Sequence, residues 1–220
     1  MKTLRGRALI VGFAVLALLP LTGRAELPMA PEKVQPLAKG VAVPDVMLRT
    51  IDGKSFALKA ETSAKPTVII FYRGGWCPYC NAHLADVQKA EKELLAMGYQ
   101  ILAICPDSAK ALRSTMDDDK LTYTLLSDAD MQATGAFGLA YGLDDATVAK
   151  YKSFGVPITA QHLGMYWLPV PAVYIVGKDG RIAFAHWDPD YRVRLSGAEL
   201  LKAAREASAG SRVLDDRVGH

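Results

Sequence analysis

The segment Cys77-Pro-Tyr-Cys80 carries the most evident chemistry in this chain. Two thiols at this spacing can cycle between dithiol and disulfide, one attacking and the other resolving the species it forms. An unbroken apolar run, Thr67-Val-Ile-Ile-Phe71, leads into the pair and reads as a central strand buried on both faces. After the pair, Leu84, Val87, Ala90, Leu94 and Leu95 recur near the helical period and Gly98 closes the pattern. A helix is therefore expected from Pro78 to about Met97. Pro78 suits the first helical position, which makes Cys77 the N-cap. Free amides and the helix dipole favour a thiolate there, and Arg73, just upstream, adds positive charge.

The same residues have other conceivable uses. A static disulfide would use the same pair, but the short ring at a helix N-terminus points to a redox pair. Structural zinc needs a second Cys pair or paired histidines, and only His83 stands nearby, so no metal is expected. Covalent haem needs a histidine where Asn81 stands. Cys105, at the end of another apolar run, reads as a buried thiol or as an extra redox thiol. No phosphate loop, dinucleotide fingerprint or serine hydrolase motif appears, so no cofactor is expected.

The chain has 220 residues, 50% hydrophobic and 22% charged, enough for one domain with a full core. Its net charge of +3 is concentrated at the start. Residues 1–25 hold Lys2, Arg5, Arg7 and Arg24 and no acid, leaving 22 bases and 23 acids elsewhere. A near-neutral body without a basic run gives no reason to expect a nucleic acid partner. The opening itself is basic, then apolar from Ala8 to Leu21, then small at Gly23 and Ala25. That order describes a signal peptide cut before Glu26. The alternative is an uncleaved anchor, for which the apolar run is short. Export is expected, and in a Gram-negative cell this means the periplasm, where disulfides persist.

The elements that must position the thiols follow in order. Residues 26–44 form an irregular, proline-rich lead-in. Val46–Thr50 and Ser55–Lys59 flank an Asp-Gly turn and read as a hairpin. After the central strand and long helix come a strand at Tyr99–Ile104, a helix at Ser108–Met116 and a strand at Tyr123–Leu126. A short helix is expected within Met131–Tyr141, and residues 142–169 read as an insertion. Ala172–Val176 and Ile182–His186 form a second hairpin. Ser196–Ala207 reads as a capped helix, with Glu199 completing the capping box, and 208–220 as a polar, frayed tail. The fold class is α/β, with a mixed central sheet, helices on both faces and an N-terminal hairpin.

Phe71-Tyr-Arg-Gly-Gly-Trp-Cys-Pro-Tyr-Cys80 resembles the thioredoxin-fold redoxins, specifically the peroxiredoxin-like branch of the alkyl hydroperoxide reductase/thiol-specific antioxidant (AhpC/TSA) family. Ile104-Cys-Pro-Asp-Ser108, Leu126-Ser-Asp-Ala-Asp130, Phe137-Gly-Leu-Ala-Tyr-Gly142 and Pro171-Ala-Val-Tyr-Ile-Val-Gly-Lys-Asp-Gly180 resemble further stretches in the same order. The resemblance implies a thioredoxin-like domain over about 45–207, with Cys77 as the attacking cysteine and Cys80 as the resolving one. It likens Pro171 to the cis-proline that faces the Cys pair, and it places Trp76 on the active-site rim, with Arg73, Pro78 and Tyr79 as supporting residues. The substrate would be a peroxide or a protein disulfide, and the electron donor an external, thioredoxin-like dithiol. One departure stands out. Peroxidases of the family carry Thr or Ser three residues before the attacking Cys, and a peroxide-binding arginine. Here Gly74 occupies the first place, and Arg73 or Arg181 would have to fill the second. A thioredoxin-like disulfide reductase is therefore the alternative. A more remote one is a copper-handling module adding His162 or His186 to the cysteines, whose spacing is shorter than copper carriers of this fold use.

Overall fold

A computed structural model describes residues 27–161 and 164–218. The signal peptide expected at 1–25 and His162 lie outside the described residues. The strands are β1 (Met47–Thr50), β2 (Ser55–Ala57), β3 (Thr67–Phe71), β4 (Gln100–Cys105), β5 (Thr124–Ser127), β6 (Ala140–Gly142), β7 (Trp167–Pro169), β8 (Ala172–Val176) and β9 (Ile182–Trp187). The helices are α1 (Leu58–Ala64), α2 (Pro78–Ala96), α3 (Ala109–Asp119), α4 (Gln132–Ala136), α5 (Asp145–Ser153) and α6 (Gly197–Val218). Among the described residues no helix is long and apolar enough to cross a membrane.

Seven strands form one sheet in the order β2-β1-β5-β4-β3-β8-β9. The strand–helix alternation makes β3, β4 and β5 parallel, while the two hairpins and the β3–β8 pairing are antiparallel. All five residues of β3 are buried because the sheet is covered on both sides. Val68, Ile70 and Tyr72 point into a core shared with α2, α3 and α6 through Leu84, Leu112 and Leu200. Ile69 and Phe71 point the other way, towards Leu58 of α1 and Phe137. There Phe71, Phe137 and Tyr174 form an aromatic cluster, with Phe71 and Phe137 ring centroids 4.8 Å apart.

Two expectations need revision. Lys59 belongs to α1 rather than to a strand, because the chain turns helical at Leu58 to bury Leu58 and Thr62 one turn apart. The tail is not frayed from Ser208: the capping box forms, Ser196 Oγ donating to Glu199 at 2.6 Å, and α6 runs on to Val218. The lead-in is irregular yet bound to the domain. Val34 and Val43 are buried, and backbone bonds tie Gln35 to Gly138, Leu37 to Phe137 and Val43 to Gly180. Within the insertion, Asp144 caps α5 by accepting from the Thr147 amide at 2.6 Å, and β7 pairs with β6 as a separate ribbon.

Candidate active site

Strand β3 ends at Phe71, and seven residues later the chain enters α2 at Pro78, with Cys77 as N-cap. The connecting loop is fitted closely. Gly74 has φ +142°, which L side chains rarely adopt, and a Cβ there would meet the Trp76 indole and come within 2.9 Å of the Asp107 carboxylate. Asp107 follows β4, the parallel neighbour of β3, and accepts from the Gly75 amide at 2.8 Å. Asn81 secures the other side by donating to the Gly75 carbonyl at 2.8 Å. Parallel pairing thus brings the ends of two strands together beneath the thiols, where ligand sites of α/β sheets form.

Both sulfurs lie inside: Cys77 is 1% exposed and Cys80 0%. The Cys77 thiol is nonetheless held down to about 6, first by the hydrogen bond from Cys80. Burial works against it, while the Cys80 amide and the positive charges of Arg73 and Arg194 help. Cys80 moves the opposite way, pushed well up by its bond to Cys77, by burial and by the Cys77 charge. One thiol is thus set as thiolate and its neighbour as the proton-bearing partner.

Arg73 is 2% exposed and sits among aromatic rings. Its guanidinium carbon lies 4.2 Å from the Tyr191 ring centroid, 5.0 Å from Trp76 and 5.5 Å from Tyr151, and Nη2 donates to the Tyr151 hydroxyl. Burial opposes its charge, but Tyr141, Tyr151 and the two cysteines outweigh burial, so the cation persists. Tyr79 is exposed and meets Tyr191 edge to face at 5.6 Å. Arg194 comes from the segment between β9 and α6, and its Nη2 lies 3.4 Å from the Cys80 sulfur.

Sequence reasoning therefore found Cys77, Cys80, Arg73, Trp76, Pro78 and Tyr79 where the structure gathers them. It missed Arg194, Tyr151 and Tyr191. The signal available for Tyr151 was the insertion, which carries α5 over the site. Arg181 is elsewhere, donating to the Gly40 carbonyl at 3.0 Å. Pro171 stands directly before β8, but no cis peptide bond occurs among the described residues. Its likeness to a cis-proline stops at its position, between β7 and β8. Cys105 is fully buried, and desolvation and Asp107 raise its thiol well above the usual range. That is the setting of an inert thiol. Among the described residues no three His, Cys, Asp or Glu side chains gather as a metal site.

This geometry now meets known proteins. The family model described as the AhpC/TSA family matches residues 40–185. The chain belongs to the AhpC/TSA family. The bcp protein of Haemophilus influenzae is 30% identical over 106 residues, covering 48% of this chain and 68% of that protein. Peroxiredoxin Bcp of Escherichia coli is 27% identical over 106 residues, covering 48% and 67%. The crystal structure of peroxidoxin BcpB from Mycobacterium tuberculosis superposes with a TM-score of 0.62 at 20% identity, covering 79% of this chain and 97% of that one. The fold is thioredoxin-like, and the protein is a thiol-dependent oxidoreductase of the peroxiredoxin-like kind.

Proposed function

We propose that the protein is an exported peroxidase in which Cys77 attacks a small peroxide and Cys80 resolves the product. The Cys77 thiolate attacks one peroxide oxygen. An S–O bond forms, the O–O bond breaks, and the leaving alkoxide or hydroxide takes a proton. Cys77, oxidised by two electrons to a sulfenic acid, is then attacked by Cys80. An S–S bond forms and the hydroxyl leaves as water. An external dithiol reduces the disulfide by exchange and is itself oxidised. Arg73 offers positive charge to the oxygen that becomes negative as the O–O bond breaks.

The observation that carries this reading is the burial of Cys77. Cys77 is 1% exposed in the reduced protein, so a molecule the size of a hydroperoxide needs a smaller opening to reach its sulfur than the disulfide of a folded protein does. The second reading, reduction of protein disulfides, draws support from Gly74, which leaves no hydroxyl at the place where peroxidases of the family carry one. Stopped-flow mixing of the reduced protein with hydrogen peroxide, and separately with a disulfide-bonded protein, decides between them. Peroxide is expected to oxidise the pair at least about a hundredfold faster than it oxidises a free thiol of similar acidity. Equal peroxide rates beside rapid disulfide reduction would leave the second reading.

Export rests on the basic, apolar and small-residue order of residues 1–25. Intact mass of the protein from fractionated cells should show a chain starting at Glu26 outside the cytoplasm. A full-length cytoplasmic chain would overturn export and leave the thiol chemistry as it stands.

A further inference from the structure

We propose that Arg194 activates the resolving thiol, and does so only after Cys77 has been oxidised. This rests on the assignment of Cys77 as attacking and Cys80 as resolving cysteine. The geometry is direct: Arg194 Nη2 approaches the Cys80 sulfur to 3.4 Å, while its Nη1 lies 3.4 Å from the Val193 carbonyl. Its Nε is buried without a hydrogen-bond partner. Among the described residues Arg194 forms no salt bridge. The carboxylate closest in sequence, Asp190, is bound to Arg192 through paired bonds of 2.9 and 2.7 Å. An arginine left without a carboxylate beside a buried sulfur has a sulfur anion as its natural counter-ion.

The order of events follows from what faces Cys80. Cys77 lies one helical turn away, Arg73 reaches the pair from the loop after β3, and Arg194 arrives from the β9–α6 segment. His83, further along α2, is neutral: burial first, then Arg194, lower it to about 4, and its Nε2 is paired with the Leu195 carbonyl. His186 faces the same region from β9. In the reduced pair the Cys77 thiolate accepts a hydrogen bond from the Cys80 thiol and repels a second negative charge, so Cys80 stays protonated despite Arg194. Transfer of an oxygen to Cys77 neutralises that thiolate, which ends the repulsion and weakens the hydrogen bond. Arg194 remains. Cys80 then gives its proton to solvent, and its thiolate attacks the Cys77 sulfur. The device delays the resolving nucleophile until there is something to resolve.

The test separates two phases after mixing the reduced full-length protein with hydrogen peroxide. Dimedone trapping with mass spectrometry reads the Cys77 sulfenic acid, and loss of the second thiol reads disulfide closure. In Arg194→Gln, sulfenic acid formation is expected to stay within about threefold of wild type, since Arg73 still faces Cys77, while closure slows about tenfold to a hundredfold. The dimedone adduct accumulates, and the inflection of closure against pH moves up. Arg194→Lys keeps the charge and should recover closure to within about threefold of wild type. Closure unchanged in Arg194→Gln, or as slow in Arg194→Lys as in Arg194→Gln, overturns the proposal. Failure of the underlying assignment looks different: wild type then yields no Cys77 adduct, and the role of Arg194 falls with it.

Discussion

Reduced protein carrying Cys77→Ser is expected to consume peroxide at about a thousandth of the wild-type rate or less. Cys80→Ser should complete one attack and then stop. A serine hydroxyl at the same N-cap meets the same cations, but they cannot ionise an alcohol near neutral pH, whereas they help hold the Cys77 thiol at about 6. The loss is chemical rather than structural, since serine is a good N-cap and the melting temperature should hold. In Cys80→Ser the hydroxyl still donates to the Cys77 sulfur, so the sulfenic acid forms and waits without a partner. Rates in the first turnover should rise with pH through about 6 and level above it, because the thiolate is the reactive form. Cys105→Ala provides the control: its thiol is sealed in the core and turnover should persist. Peroxide consumption by Cys77→Ser near the wild-type rate would move the active thiol elsewhere and dismantle the site as described.

How far the sequence reveals this site depends on how local each contribution is. Cys77, Pro78 and Cys80 are legible because N-cap, first-turn proline and thiol spacing are set within a few residues. Strand β3 is legible because burial on both faces demands a continuous apolar run. Arg194 could not be read, since it lies 114 positions from Cys80 and meets it only through the docking of α6 beside α2. Tyr151 is distant for a similar reason, 78 positions from Arg73, on a helix whose sequence has one buried apolar residue, Val148. Helix α1 buries only Leu58 and Thr62, too few apolar positions to establish a period. The continuation of α6 past Ala207 runs through Ser208, Gly210 and Ser211, residues whose local preference is against helix.

Arg73 is where stability and reactivity should part. Its guanidinium is buried, has no carboxylate among its contacts in the described residues, and leaves Nε unpaired. The aromatic faces of Tyr191, Trp76 and Tyr151 and the Tyr151 hydroxyl offset only part of the cost of dehydrating it. What the charge supplies is a field at Cys77 that favours thiolate and, on attack, favours the departing oxygen. Arg73→Met keeps much of the volume and removes the charge. It is expected to leave the melting temperature unchanged or raise it, and to slow peroxide attack about a hundredfold. The Cys77 inflection, followed by thiolate absorbance, should move up from about 6, lowering the reactive fraction at neutral pH. Thiolate loss alone can account for only part of that rate, so working well above the shifted inflection should recover part of it and leave a residual deficit. The residual belongs to the transition state, where a guanidinium can reach the breaking O–O bond. A variant restored fully at high pH would show that Arg73 acts on the thiol alone and not on the departing oxygen. A variant that instead loses several degrees of stability would show that the aromatic collar needs its cation in order to pack.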